Sequence, residues 1–401
     1  MIGVTKLLCG KVSPSDALRY GRRSDRSPSH LLQFTHDKKP IVVWNSTKAC
    51  NLRCIHCYYT ARAQPDPDEL TTAEAKTMID DLAAFAVPVL LFSGGEPLMR
   101  DDLFELGAYA VERGLRAVIS TNGTLINRPA ADRIKKAGFS YVGISLDGIG
   151  ETNDRFRGMN GAFDAALAGI RACTEAGVRT GLRLTLNRHN YEDLDAIFDL
   201  LEAENIRRAC FYHLVYAGRG ARIKSDDLSL AESRDAVDLI FDRTQDLCRR
   251  GIDIEVLTVD NHSDGPYLLR RTQREQPERA GEVLQLLRWN GGNSSGIGIG
   301  AVDHLGNVHP DQFWQHHSFG NVRQRPFGQI WTDTSDPLMA GLKNRKPLLK
   351  GRCAACQYLD ICNGNFRVRA EAVHDDVWAP DPACYLTDKE IGINGDLSLS
   401  P

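Results

Sequence analysis

The residues best suited to chemistry in this chain are its cysteines, and their spacing is uneven. Eleven are present, and seven of them fall into two groups. The first group reads Lys48-Ala49-Cys50-Asn51-Leu52-Arg53-Cys54-Ile55-His56-Cys57-Tyr58. Three thiolates at C-x3-C-x2-C can hold three irons of a cubane and leave the fourth without a protein ligand. That vacancy lets a small molecule chelate the cluster and receive an electron. A zinc site with His56 as fourth ligand is the competing reading. Neighbouring ligands at 56 and 57 do not easily reach one tetrahedral ion together with both other cysteines. The second group is Cys353-Ala354-Ala355-Cys356, then Cys362 and Cys384. Four thiolates fully satisfy either a cubane or one zinc ion. Cys173, Cys210 and Cys248 lie in helix or strand patterns and read as buried thiols. Cys9 lies in an unpatterned stretch and is not assigned.

Such groups need elements to position them. Residues 1–39 are polar and basic with little periodicity, and read as an N-terminal arm. From Pro40 strands and helices alternate. Strands are predicted at Ile41–Thr47, Val87–Ser93, Leu115–Ser120, Tyr141–Leu146, Val178–Leu186 and Arg207–His213. Between them lie helical patterns, one opened by a capping box at Thr71 and Glu74. Six such units argue for right-handed crossovers and a parallel sheet. Six is short of the eight of a closed barrel, so the fold class is α/β, with a partial (β/α)6 TIM-like barrel over 40–255. The C-x3-C-x2-C loop directly follows the first strand, and β-α sheets carry their chemistry at strand C-termini. Leu228–Arg250 is one longer helix, opened by Ser229 and Glu232, and Ile252–Val259 is a further apolar run. A connecting segment, 256–290, leads to a small cysteine-rich domain over 291–401, where a metal site replaces a hydrophobic core. Within it Val302–His309, around Gly306-Asn307, reads as a hairpin.

Composition removes several function classes. A net charge of −3 gives no general attraction to nucleic acid or to an anionic membrane. Two basic runs, at Arg19, Arg22, Arg23 and Arg26 and at Arg270, Arg271 and Arg274, read as solvated surface or as partners for a substrate with several carboxylates. The start has no signal-peptide pattern, and no apolar stretch reaches the roughly 18 residues a membrane span needs. The expected location is the cytoplasm. In that reducing compartment cysteines serve as ligands or buried thiols rather than disulfides.

The cysteine loop, followed by an aromatic residue, resembles the radical S-adenosylmethionine (SAM) superfamily, and other predicted strand ends match in order. Ser93-Gly94-Gly95-Glu96-Pro97 looks like the family's GGE motif. There the resemblance implies close backbone approach at Gly94 and Gly95 and a meeting of Glu96 with the methionine ammonium. It makes Tyr58 the aromatic beside adenine, and Ser145 and Asp147 of Ser145-Leu146-Asp147-Gly148 polar contacts to the ribose. Asn153-Asp154-Arg155-Phe156-Arg157-Gly158 resembles the HDxxRG stretch of the SPASM-bearing branch, with Asn153 replacing the His, so Arg157 is a candidate for the SAM carboxylate. Ser120-Thr121-Asn122-Gly123 ends another strand, as a cavity lining or a helix-opening turn.

The second cysteine group is similar to the auxiliary-cluster region called SPASM. Asn307-Val308-His309-Pro310-Asp311 stands where fuller versions carry extra cysteines. The resemblance therefore implies two 4Fe–4S clusters, one of them closed, with SAM and a low-potential donor such as flavodoxin or ferredoxin. The arm, together with Val42-Val43-Trp44-Asn45 and the 307–314 stretch, looks like the radical SAM enzymes of tetrapyrrole biosynthesis. Their deacetylase branch acts on 12,18-didecarboxysirohaem, an iron tetrapyrrole with acetate and propionate carboxylates. The implied activity is loss of its acetate side chains to give Fe-coproporphyrin III in haem biosynthesis. Propionate removal towards haem d1, or peptide modification, is the alternative. Arg19, Arg22 and Arg23 would pair with carboxylates, and His30, His213, His309, His316 or His317 would touch the macrocycle or its iron.

Overall fold

The computed structural model describes residues 1–20 and 39–393. Among the described residues ten strands form one sheet: β1 (Ile2–Gly3), β2 (Ile41–Asn45), β3 (Val89–Ser93), β4 (Arg116–Thr121), β5 (Val142–Ser145), β6 (Thr180–Leu186), β7 (Arg208–His213), β8 (Glu255–Val259), β9 (Ile299–Val302) and β10 (Val308–His309). Their order is β1-β8-β7-β6-β5-β4-β3-β2-β9-β10. The six predicted strands are β2 to β7, adjacent and parallel. The sheet stays open at both ends, as a partial barrel requires.

Alternation in β6 shows how the sequence builds the wall. Leu182, Leu184 and Leu186 are buried in the main core against the helices, while Arg183 and Thr185 turn to the other face and line the bore. Each fully buried Leu contributes about 1.5–3 kcal/mol of apolar burial. Helix starts follow the predicted caps: Thr71 and Glu74 close a reciprocal box on Thr72–Ala84, and Ser229 and Glu232 do so on Leu230–Arg249. Ile252–Val259 contributes β8, a seventh parallel strand beside β7.

Three features depart from the sequence reading. Residues 1–20 do not form a loose arm. β1 pairs antiparallel with β8, and the Val4–Cys9 helix buries Val4, Leu7 and Leu8. Its partner strand lies some 250 positions on, so local periodicity carries no trace of the pairing. β9 comes from the segment assigned to the C-terminal domain, yet it pairs parallel with β2 and extends the barrel sheet. Finally, Cys9 and Cys248, 239 positions apart in sequence, are joined as a disulfide with Cα atoms 6.5 Å apart. This corrects the expectation that no cysteine pairs; the helix packing brings together two residues that spacing could not connect. Arg22, Arg23, Arg26 and His30 lie outside the described residues.

Candidate active site

The C-terminal ends of the strands meet at a cavity of about 160 Å³, into which Cys50, Cys54 and Cys57 all open. The loop that carries them is clamped from three sides. Gly95 N donates to Thr47 O and Glu96 N to Ala49 O, at 2.8 and 2.7 Å. Arg53 N and Ile55 N donate to the carbonyls of Arg157 and Phe156. Arg219 spans the loop, bonding Cys54 O and Ala61 O. The glycine pair is sterically required: a Cβ on Gly95 would stand 2.0 Å from Ala49 O, and one on Gly94, at φ +123°, would stand 2.7 Å from Thr47 O.

Among the predicted SAM contacts, Tyr58, Gly94, Gly95, Ser145 and Arg157 line this cavity. Tyr58 is fixed by hydrogen bonds between its hydroxyl and Asn45 Oδ1 (3.0 Å) and Ser93 Oγ (3.1 Å). Glu96 and Asp147 are elsewhere. The Glu96 carboxylate is fully buried and accepts from Thr121 Oγ1, Asn122 N and Leu98 N, so it ties the end of β3 to the end of β4. Burial raises its pKa despite those bonds. Asp147 accepts from Thr185 N at 2.7 Å and holds the Arg157 guanidinium at 2.5 Å. Arg157 in turn reaches Cys54 Sγ at 3.6 Å. Asn153, where the motif has His, accepts from Asp147 N at 2.9 Å and so fixes that strand end. Ser120, Thr121 and Asn122 do line the cavity.

The donor set fits an iron–sulfur centre. Burial pushes the Cys50 thiol up to about 12 and raises Cys54, so thiolates there need a strongly cationic centre beyond Arg157. Cys50, Cys54 and Cys57 bring three thiols to one cavity wall, which suits a cubane with one iron left open. His56 stacks on Phe156 at 4.5 Å and faces Asp147; burial pushes it down to about 4, so it is neutral.

The second cysteine group lies on the Gly351–Ala354 and Leu359–Cys362 helical turns and the Cys384 loop. The thiols of Cys353, Cys356 and Cys384 all act on Cys362, which burial raises first. None of the four lines the cavity. Their segment contains a fully buried ion pair, Arg369 with Asp381 at 3.0 Å, and the same guanidinium locks it to the barrel by bonding Leu214 O and Asp260 O.

A second, larger cavity of about 450 Å³ continues from the first down the bore. Val43, Leu91, Arg183, Tyr212, Asp260 and Gln312 line both. The sequence reading did not single out Arg183, Thr185, Asp260 or Gln312. The alternation of β6 held a signal for the first two: a charge inside a leucine run must face the bore. Arg19 lines the larger cavity, but Asp16 and Glu255 already neutralise it. Of the histidines, His213 borders the first cavity and meets Asp264 at 3.1 Å. His309 faces Asp303, and His316 and His317 both face Glu371, away from either cavity.

Comparison with known proteins decides the family. The model of the radical SAM superfamily matches residues 44–201. The chain is 66% identical to the Fe-coproporphyrin III synthase of Methanosarcina barkeri, over 98% of this chain and 99% of that protein. The chain belongs to the radical SAM superfamily. It is thus a radical SAM enzyme, and its cofactors include SAM and a 4Fe–4S cluster. Within the superfamily it is also 43% identical to the pre-heme d1 synthase of Dinoroseobacter shibae, over 90% of this chain and 89% of that one. The radical SAM fold is likewise that of Streptococcus suis SuiB bound to its precursor peptide SuiA. There the TM-score is 0.68 at 18% identity, over 88% of this chain and 77% of SuiB. Among the described residues no helix is long and apolar enough to cross a membrane.

Proposed function

We propose that this enzyme removes the acetate side chains of 12,18-didecarboxysirohaem to give Fe-coproporphyrin III. The observation that carries the reading is the 66% identity, end to end, with a protein named for that product. In this reading Cys50, Cys54 and Cys57 hold the SAM-cleaving cluster. Cys353, Cys356, Cys362 and Cys384 hold a second, closed 4Fe–4S cluster that passes electrons or supports the fold. Three thiols beside a cavity at the first site, and four without one at the second, support this assignment. Residues 40–255 act as the catalytic barrel, extended by β9, and 291–401 as the auxiliary-cluster region. A flavodoxin or ferredoxin in the cytoplasm supplies the electron.

A cluster held by Cys50, Cys54 and Cys57 would supply the electron for reductive cleavage of SAM, the source of a radical able to take an unactivated hydrogen. The chain's own residues do the rest. Gly94 and Gly95 keep the cavity wall free of side chains, Arg157 meets the SAM carboxylate, and Tyr58 packs beside the adenine. Asp147 acts through Arg157 by holding its guanidinium. Tyr58 meets Phe313 edge-on at 5.0 Å, an apolar closure that keeps water from the radical. The larger cavity receives the macrocycle.

The test is anaerobic turnover of the cluster-loaded enzyme with reductant, SAM and 12,18-didecarboxysirohaem, followed by mass spectrometry. Loss of two acetate side chains is expected. SAM cleavage with an untouched tetrapyrrole would refute the substrate, and propionate loss would move the enzyme to the haem d1 branch.

A further inference from the structure

Arg183 stands where the two cavities join, and among the described residues it forms no ion pair. It projects from the middle of β6 into the bore and lines both cavities. Its two hydrogen-bond partners, Ser120 Oγ and the Tyr212 hydroxyl, are neutral, and its guanidinium lies 4.9 Å from the centre of the Tyr212 ring. Those bonds use two of the five N–H groups a guanidinium offers. Of the other arginines lining these cavities, Arg157 is ion-paired with Asp147, Arg19 with Asp16 and Glu255, and Arg208 with Glu255, while Arg219 is spent on the carbonyls of Cys54 and Ala61. Asp260 lines the same junction and feels the Arg183 charge, but the two are not in ion-pair contact among the described residues, and the Asp260 Oδ2 has no hydrogen-bond partner. A guanidinium held inside a protein without a close counter-charge is costly, so such a site suits an anion that arrives with the ligand.

Building on the acetate-removing reading, we propose that Arg183 binds the carboxylate of the side chain to be removed and draws that side chain from the large cavity to the SAM side. The reacting group is the one part of the substrate that must bridge the two cavities, and Arg183 lines both. Its free N–H groups suit the forked geometry of a carboxylate, which a lysine ammonium does not match. Arg183 is then a substrate-binding residue that sets which side chain reacts, through near-attack placement of the hydrogen to be abstracted.

The test compares two tetrapyrroles that differ in that side chain. Anaerobic cluster-loaded enzyme is titrated by absorbance with 12,18-didecarboxysirohaem, which has the acetates, and with Fe-coproporphyrin III, which lacks them. Wild type, Arg183→Lys and Arg183→Met are used. Losing a charge-assisted pair weakens the acetate-bearing ligand about tenfold to a hundredfold in Arg183→Met, with a smaller loss in Arg183→Lys. Binding of Fe-coproporphyrin III stays near wild type in both. On the ligand side, the acetate amide of the substrate binds wild type as weakly as the free acid binds Arg183→Met, and the methionine variant does not distinguish the two. This arm needs no altered protein for its first half. Equal weakening of both tetrapyrroles, or of neither, overturns the assignment while leaving the acetate-removing reading intact. Failure of the wild type to bind or convert the acetate-bearing ligand defeats that reading and the assignment together.

Discussion

The two cysteine groups differ less in residue type than in what surrounds them. Cys50, Cys54 and Cys57 open into a cavity walled by backbone, hydroxyls, apolar side chains and the guanidinium groups of Arg157, Arg183 and Arg219. Cys353, Cys356, Cys362 and Cys384 open into neither cavity and lie in short helical turns and the loops beside them, in a segment pinned to the barrel where Arg369 bonds Leu214 O and Asp260 O. Three thiols beside space make a site that must accept a further ligand. Four thiols without it make a site that is complete. A missing ligand is functional only where the fold also leaves room at the vacancy.

The comparison can be broken by substitution. Cys54→Ala is expected to have the largest effect. It removes the first cluster, halving iron from about eight to about four per chain, and 5′-deoxyadenosine formation falls to the background of reductant with SAM. Next is Gly95→Ala, which leaves every thiol in place. Its Cβ would meet Ala49 O at 2.0 Å, so the cysteine loop must shift, and a misplacement near 1 Å costs about a hundredfold in SAM cleavage. Cys362→Ala also loses about four irons per chain. However, it should keep SAM cleavage while losing tetrapyrrole turnover, since distant sites act independently. Loss of SAM cleavage in Cys362→Ala would erase the distinction between the sites.

The smallest effect concerns Asp260, whose carbonyl is bonded by Arg369 of the auxiliary region. Its backbone adopts φ +65°, and burial pushes its carboxyl up to about 7 from the ordinary 3.8. A raised acid stabilises the fold below the unfolded pKa and loses that contribution as pH rises through the folded one. Asp260→Asn should therefore gain stability over wild type by on the order of 2 kcal/mol between about pH 5 and about pH 8. Thermal unfolding midpoints at the two ends check this. No change with pH would place the carboxyl in a better-solvated setting.

Much of this was legible in the sequence. The central strands announced themselves as short apolar runs between helical patterns, and the motif order fell on their C-terminal ends. What stayed hidden was non-local or directional. Ile2 pairs with Thr258 and Ile41 with Ile299, contacts that leave no periodic mark. The Cys9–Cys248 pair likewise depends on helix packing. A motif also names a residue without saying where its side chain points. Glu96 and Asp147 are in the motifs, yet their carboxylates brace neighbouring strand ends and Arg157. Arg183 belongs to no motif and faces the bore.

The central claim is that one cluster is open to SAM and the other is closed. Electron paramagnetic resonance of the reduced, cluster-loaded enzyme, with and without SAM, tests it most directly in wild type and Cys362→Ala. The account predicts two cluster signals in wild type, of which SAM shifts one, and survival of the SAM-responsive signal alone in Cys362→Ala. A SAM response that vanishes with Cys362, or that appears in both signals, would contradict it.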